Sequence, residues 1–380
     1  MKKRNQGRWL ALAATASMVL AGCGTASAKT IASAPAGHSA SHPTMATNSP
    51  ASSNSMSQGT TSSGMAGSLK GIPSDILIGA AASPPSGPGN GTLSITNIGM
   101  KRTWTVPLAA NANAFQVAIG HGLVYVPTLG GKTYIVSIAS HKVVSSFNSP
   151  LNVRIATLAE ADHLLILTSA TSVTAYSPPS DKPVWKLPKI GGNTLAVAGQ
   201  DGYLSSTGSS STAIIDLKNG HVVKTIPVGQ IENSVYDPQH HTLWLADWFN
   251  GDMTIVNTMT NRIVRVSHQA EGGGFSMSNK MSAPGGFMQL AVSPSGQSVY
   301  AASFSGNIMV YNAETNRFQK NIPVKIPMAK LSGLAIDPSG QYAYTTVESD
   351  KETVALSLKT GQIVGKETGL MSNRWFVTRH

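Results

Sequence analysis

The side chains best suited to bind a metal lie near the start of the chain. They are His38, His42, Met45, Met56 and Met65. Imidazole and thioether groups favour copper, and a thioether does not protonate at low pH. The spacing of these residues is irregular, and the Ser, Thr, Ala, Gly and Pro residues around them carry too little apolar surface to fold around an ion. We predict a disordered tether over residues 23–72 and no cofactor, with a copper-handling or electron-transfer accessory role as an alternative.

The lone cysteine of the chain has a more specific setting. Lys2, Lys3, Arg4 and Arg8 form a basic segment, a short apolar stretch follows, and Leu20-Ala-Gly-Cys23 then has the pattern of a bacterial lipoprotein cleavage site. An acyl chain on the Cys23 thiol contributes about 0.8 kcal/mol of membrane affinity per buried methylene. We predict a lipoprotein signal peptide over residues 1–22 and a lipidated Cys23. Since the chain has no second cysteine, an internal disulfide is excluded.

Charge gives weaker information about partners. The chain loses four of its formal +11 charges with the signal peptide and keeps +7. These charges are spread along the sequence without a basic run, so a nucleic-acid partner is not expected. A mild positive charge suits an anionic envelope surface. We predict an extracytoplasmic monomer at the cell surface or in the periplasm, anchored in the membrane, whose partner is another envelope protein or a wall component.

A short sequence motif recurs through the rest of the chain. Residues 213–223, 254–264, 308–318 and 354–364 each contain an apolar strand, a polar turn that ends on Gly or Asn, and a second strand. Gly and Asn enter the left-handed region at least cost, as a tight hairpin requires. Looser copies at 94–105, 134–144 and 173–185 bring the total to seven, spaced by roughly 40 residues. The pattern predicts an all-β fold, a seven-bladed β-propeller.

Each hairpin is preceded by a second repeated unit. Residues 289–303 and 333–346 contain a strand, a Pro-Ser-Gly turn and another strand, so every blade has four strands, a to d from the centre outward. The stretch from Leu243 to Val264 resembles the YVTN-type propeller repeat, although Leu-Ala-Asp-Trp replaces Tyr-Val-Thr-Asn and Asn257 replaces an Asp. The resemblance covers roughly residues 75–380 and implies the same fold. Related propellers include lactonase-type hydrolases and quinone-dependent dehydrogenases.

The ends of the repeat region predict how the ring closes. The predicted propeller domain spans residues 73–380, and its first unit, 76–108, lacks an inner strand. Residues 374–380 follow the last blade and look like that strand. The other blades are expected at 114–148, 153–187, 194–227, 233–266, 288–323 and 333–366. We expect the prolines of the third blade to make its outer edge irregular, and Trp104, Trp185 and Trp244 to pack between blades.

Propeller geometry indicates where a ligand would bind. Strand a lines the central channel, so residues just before each strand a should surround its mouth. These polar residues are Asn113, Arg154, Asn193, Glu232, Asn233, Gln289, Ser332 and Arg374. Their polar character also has a simpler explanation, because a channel mouth is filled with water and needs polar side chains. A mixed charge from Glu232, Arg154 and Arg374 would orient a polar ligand.

A long insertion reaches the same face. The insertion, residues 267–287, interrupts the repeat after the fifth blade and contains His268, Glu271, Met277 and Met281. It is rich in glycine and long enough to fold across the mouth as a lid. Trp248 and Phe249, in a neighbouring turn, would add an aromatic anchor. Asp247, Asn250 and Asp252 in that turn lack the alternating oxygens and closing Glu of a calcium loop.

No catalytic motif accompanies these residues. The sequence contains no His-Glu-x-x-His, no Gly-x-Ser-x-Gly and no cysteine pair. We therefore predict a non-enzymatic binding module and no catalytic or metal residues. The alternative is a propeller enzyme of lactonase or quinone-dependent dehydrogenase type that uses the channel mouth.

Overall fold

The computed structural model describes residues 76–80, 91–98, 101–109, 114–178, 180–248, 251–268 and 286–378. Cys23, the tether, Asn113, Phe249, Glu271, Met277 and Met281 lie outside these ranges, so the predictions about them stay predictions. Within the described ranges, no helix is long and apolar enough to cross a membrane.

The described chain is built almost entirely from antiparallel strands. The first four blades contain β1 (Ile76–Ala80), β2 (Thr92–Asn97), β3 (Arg102–Pro107), β4 (Ala118–Gly120), β5 (Leu123–Pro127), β6 (Lys132–Ser137), β7 (Lys142–Asn148), β8 (Val153–Ala159), β9 (Leu164–Ser169), β10 (Ser172–Tyr176), β11 (Pro183–Pro188), β12 (Thr194–Ala198), β13 (Asp201–Ser205), β14 (Thr212–Asp216) and β15 (His221–Ile226). One turn of 3-10 helix, Glu160–Asp162, joins β8 to β9.

The remaining strands complete the ring. They are β16 (Ile231–Asp237), β17 (Thr242–Asp247), β18 (Met253–Asn257), β19 (Arg262–Ser267), β20 (Phe287–Val292), β21 (Ser298–Ser303), β22 (Asn307–Asn312), β23 (Arg317–Pro323), β24 (Leu331–Ile336), β25 (Tyr342–Val347), β26 (Glu352–Ser357), β27 (Ile363–Thr368) and β28 (Phe376–Thr378). Seven four-stranded sheets result, which confirms the predicted seven-bladed propeller. We number the blades in chain order, with blade 1 formed by β28, β1, β2 and β3.

The C-terminal strand closes the ring as predicted. Blade 1 has the order β28-β1-β2-β3, and Phe376, Val377 and Thr378 pair antiparallel with Ile78, Leu77 and Ile76. Trp375, just before β28, is 1% exposed and forms a cluster with Leu77 of blade 1 and Tyr344 of blade 7. Its indole nitrogen donates a 2.8 Å hydrogen bond to the Thr346 hydroxyl. This closure removes the open edges that a row of sheets would leave.

Apolar side chains fill the spaces between neighbouring blades, and the predicted tryptophans take part. Trp104 of blade 1 stacks on His141 of blade 2 with ring centroids 3.8 Å apart. The Trp185 indole of blade 3 donates a 2.6 Å hydrogen bond to the Leu217 carbonyl of blade 4. Trp244 of blade 5 lies against Tyr311 of blade 6. All three tryptophans therefore lie between blades, as predicted.

The outer edge of blade 3 is irregular, as expected, but its prolines are not the cause. Its outer strand β11 pairs with β10 from Ser172↔Pro188 to Tyr176↔Pro183. Pro183 and Pro188 occupy the two ends of this edge strand, where proline is tolerated. The one register shift in this pair recurs in other blades and is not caused by proline.

A bulge of one residue recurs in the outer hairpin of six blades. The bulged residue is Val144, Val184, Val223, Val264, Gln319 or Val364 in blades 2 to 7. Blade 1 pairs β2 with β3 without a shift. A bulge twists an edge strand and discourages pairing with another chain. Five of these positions hold valine, so Gln319 of blade 6 departs from the pattern.

Candidate functional site

The inner strands of four blades begin with irregular pairing. The register shifts across Arg154 in β8, Glu232 in β16, Gln289 in β20 and Ser332 in β24. The prediction placed these residues just before their strands, whereas they lie inside the strands, in bulges. A bulge re-aims a side chain relative to a regular strand. The bulges thus bring polar side chains to one end of the channel.

An ion pair connects two sides of this channel mouth. The Nη2 atom of Arg374 lies 2.9 Å from Oε1 of Glu232 and 3.1 Å from the Glu232 carbonyl. Arg374 belongs to blade 1 and Glu232 to blade 5, which are not neighbours, so the contact spans the channel. Only 1% of the Arg374 side chain and 9% of the Glu232 side chain are exposed. These two groups occupy the mouth without lining an open surface.

Two further side chains complete this cluster. The Arg374 guanidinium lies over the ring of Phe115 from blade 2, 4.6 Å from its centroid, where a cation–π contact is favourable. Asn193 of blade 4 donates 3.1 Å and 3.0 Å hydrogen bonds to Oε2 and the carbonyl of Glu232. The Asn193 side-chain oxygen accepts a 2.8 Å bond from the Thr207 N–H. The mouth cluster, Phe115, Asn193, Glu232 and Arg374, therefore joins four blades.

Burial changes the ionisation of both charged groups. It raises the pKa of Glu232 to about 7, although the neighbouring Arg374 partly lowers it. It also lowers the pKa of Arg374, an effect that Glu232 partly offsets. Loss of water disfavours the charged form of each group. Perturbed pKa values mark functional sites, but buried structural ion pairs produce them as well.

Two other predicted mouth residues also connect different blades. Oε1 of Gln289 accepts 2.6 Å and 2.8 Å bonds from the N–H groups of Leu334 and Trp375, and its Nε2 donates 2.9 Å to the Trp375 carbonyl. The Asn233 side-chain oxygen accepts a 2.8 Å bond from the Leu290 N–H. Both side chains are buried. Gln289 of blade 6 is thus bonded to the backbone of blades 7 and 1, and the side-chain oxygen of Asn233 to the backbone of blade 6.

The side chains of the last two predicted residues are separate from this cluster. Arg154 is exposed and makes no ion pair with another described residue. Ser332 is completely buried in blade 7, near Glu348. Burial raises the pKa of Glu348, and the Ser332 hydroxyl and Lys330 partly lower it. The predicted group of Glu232, Arg154 and Arg374 is therefore brought together only for Glu232 and Arg374.

One end of the long insertion lies next to an aromatic pair. Trp248, after β17, meets Phe304, after β21, edge to face with centroids 5.2 Å apart. Gly286, at the end of the insertion, accepts a 3.2 Å bond from the Phe304 N–H. A side chain at Gly286 would collide with the Trp248 backbone. At the beginning of the insertion, Nδ1 of His268 lies 3.2 Å from Oδ2 of Asp252.

Sequence reasoning missed Phe115 and Phe304. Phe304 follows strand b of blade 6 as Trp248 follows strand b of blade 5, so the repeat offset alone could have identified it. Phe115 lies two residues after the predicted Asn113 and carried no comparable signal. The described residues contain no group of three or more His, Cys, Asp or Glu side chains placed to hold a metal ion.

Comparison with known proteins supports the fold. Neither a protein-family model nor a curated protein matches the chain. The solved structures similar to it include hydrazine synthase from Kuenenia stuttgartiensis. That match has a TM-score of 0.55 and 14% identity over 65% of this chain and 77% of that chain. Identity this low shows a shared β-propeller fold and no more.

Proposed function

We propose that this protein is a lipid-anchored cell-envelope protein of the YVTN propeller type that binds another envelope protein without catalysis. The observation that carries this proposal is the mouth cluster, in which Glu232 and Arg374 are buried and bonded to each other. Charged groups held in this way are engaged within the protein and are withdrawn from a substrate. Recognition then falls to the exposed surface around the cluster.

The surface at the ends of the insertion is the part of this face best suited to a partner. Trp248 and Phe304 are both half-buried, so each has a fixed side and an accessible side. Rigid aromatic side chains of this kind are enriched at binding hot spots. The insertion begins at His268 and returns at Gly286 beside the aromatic pair. We propose that these residues, with the predicted lid, form the binding surface.

The binding surface can be tested by site-specific crosslinking in cells. Replacing Trp248 and Phe304 together by Ala is expected to reduce recovery of the crosslinked partner by about 30-fold, as for a hot spot of 2 kcal/mol. Replacing residues 270–284 by a short Gly-Ser link should also reduce it. Trp104→Ala, which alters a half-buried tryptophan of blade 1, is the matched control and should keep the crosslink. Loss of the crosslink in a variant altered only at His240, His241 and Gln297 would place binding on the opposite face.

Anchoring is tested separately. Cys23→Ala is expected to leave the protein unprocessed or released from the membrane, since the proposed anchor is the acyl chain on this residue. Thr25→Ala, just outside the cleavage pattern, is the control and should be processed and membrane-bound. Membrane fractionation that finds processed, membrane-bound Cys23→Ala protein contradicts the lipid anchor.

An enzyme of lactonase or quinone-dependent dehydrogenase type would need Glu232 or Arg374 to contact its substrate. Because both side chains are buried, we expect no turnover in a screen of lactones and quinone acceptors. Turnover that disappears in Glu232→Gln but persists in Arg154→Ala would replace the binding proposal with an enzymatic one.

A further inference from the structure

A polar groove lies on the face opposite the mouth cluster, at the boundary of blades 5 and 6. Its volume is about 420 Å³, within the roughly 300–1,000 Å³ of small-ligand sites. Four side-chain amides line it, from Gln239, Gln297, Asn312 and Gln319. Gln239 and Gln297 come from the turns between strands a and b of the two blades, and Asn312 ends strand c of blade 6. We call this feature the far-face groove.

Blade 6 departs from the repeat at the residue that enters the groove. Gln319 is the bulged residue of the β22–β23 hairpin, where the five other bulged blades have valine. A valine would present only methyl groups at this position. The amides of Gln297 and Gln319 have no hydrogen-bond partner within the described part of the chain, so both are available to a ligand. The departure therefore adds hydrogen-bonding capacity to one blade boundary only.

A buried carboxylate fixes the imidazole at the other side of the groove. Nδ1 of His240 lies 2.7 Å from Oδ2 of Asp237, which is completely buried. The pair holds the ring in one orientation and leaves Nε2 as the nitrogen available to the groove. In blade 7 the place of His240 is taken by Gly340, and within the described ranges the corresponding Asp337 accepts bonds only from its own turn, including the N–H groups of Gln341 and Tyr342. An imidazole positioned by the turn is thus specific to blade 5 in this comparison.

The composition of the lining indicates the chemical class of the ligand. Besides the four amides and His240, the lining contains Ser298 and Glu314 and no Lys or Arg. A lining without cations does not suit a phosphate or carboxylate ligand, and one without large apolar side chains does not suit a lipid tail. Amide and hydroxyl groups both donate and accept hydrogen bonds, as sugar hydroxyls do. Their pattern is complementary to a neutral polyhydroxylated ligand.

We propose that the far-face groove binds a neutral carbohydrate, one or two units of an oligosaccharide. Gln297 and Gln319 bond its hydroxyl groups from blade 6, and the fixed His240 contacts it from blade 5. This site is independent of the Trp248 surface and of the lipid anchor. The carbohydrate proposal can therefore be refuted or supported without deciding the other two proposals.

The test uses the purified full-length protein in a detergent without sugar groups. Chitotetraose, cellotetraose and maltotetraose are titrated by calorimetry, with inorganic phosphate as a charged comparison. We expect saturable binding of at least one oligosaccharide and none of phosphate. Gln319→Val, which restores the valine found in the other bulged blades, and Gln297→Ala should each weaken binding by about fivefold, the value of one neutral hydrogen bond.

Gln341→Ala provides the matched control, because Gln341 occupies in blade 7 the place of Gln297 in blade 6. Binding should be unchanged in this variant. The proposal is overturned if none of the three oligosaccharides binds at millimolar concentrations, or if phosphate binds in their place. Equal weakening by Gln341→Ala and Gln297→Ala also overturns it, since binding would then not depend on the groove.

Discussion

The mouth cluster and the far-face groove use polar residues in opposite ways. At the mouth, Glu232 bonds to both Arg374 and Asn193, and the two charged side chains are almost fully buried. In the groove, Gln297 and Gln319 are exposed, and their amides have no partner among the described residues. Polar groups of similar chemistry therefore hold the ring together at one site and are open to a ligand at the other.

This difference shows why conspicuous charge is a poor guide to function in a propeller. Seven inner strands converge on the channel, so polar residues at their starts readily meet and bond to the neighbouring blade. The outer strands do not converge, and the side chains of Gln297 and Gln319 have no such partner among the described residues. There, a departure from the repeat, as at Gln319, is the more informative signal.

The largest expected effect comes from removing the closing strand. Deleting residues 373–380 removes β28, the buried Trp375 and half of the mouth ion pair. We expect the free energy of unfolding to fall by more than about 5 kcal/mol, because a lost core tryptophan alone costs about 3–5 kcal/mol. Urea denaturation measures the change. Deleting only residues 379–380, beyond β28, is the control, and equal stability of both truncated proteins would refute closure by β28.

Breaking the ion pair from one side is the next largest change. Arg374→Ala leaves the Glu232 carboxylate buried without its partner and is expected to cost about 3–5 kcal/mol. Arg154→Ala, an exposed arginine at the same mouth, should change stability by less than about 0.5 kcal/mol. The double variant Glu232→Gln/Arg374→Met should recover much of the loss. If Arg374→Ala is no worse than Arg154→Ala in urea denaturation, the cluster does not stabilise the ring.

The mouth should also make stability depend on pH. The folded-state pKa of Glu232 is about 7, against an ordinary value of 4.5, so the folded protein holds this proton more tightly. The stabilisation is complete below pH 4.5 and is lost as the pH rises through 7. The free energy of unfolding should fall by up to about 3 kcal/mol over that range. Glu348 changes stability in the same direction, since its pKa is also raised.

The contribution of Glu232 is isolated by comparing two pH series. Urea denaturation of Glu232→Gln from about pH 4.5 to about pH 7 should show a smaller decline than the original protein, because glutamine does not titrate. An identical decline in both proteins would show that Glu232 ionises normally.

A smaller effect on stability should distinguish the groove beside blade 6 from the equivalent turn of blade 7. Gly296 and Gly340 have positive φ values of 68° and 71°, so replacing either by Ala strains the backbone by about 1 kcal/mol. A Cβ on Gly296 would also collide with Gln239, whereas one on Gly340 meets only Pro294 Cδ at 3.9 Å. Gly296→Ala should therefore cost more in thermal or urea unfolding. Equal costs would mean that Gln239 moves freely and does not form a fixed wall.

Much of the fold was predictable from local pattern. The hairpins around Asn261, Asn316, Gly220 and Gly361 were found because a tight turn needs residues that tolerate positive φ, and all four have it. Ring closure by the C-terminal residues followed from one missing and one surplus strand. The bulges at Glu232 and Gln289 were not predicted, since a register shift depends on the partner strand and leaves no fixed local signal.

The sequence by itself determined the number of blades, their order and the strand that closes the ring. Each of these features follows from a repeated alternation of strand and turn residues. Only the tertiary structure decided that Arg374 meets Glu232, 142 residues earlier in the chain, or that Gln239 and Gln319 border one groove. Strand patterns act between neighbours in the chain. Contacts across a channel or between blades depend on the curvature and spacing of the whole ring, which no single segment specifies.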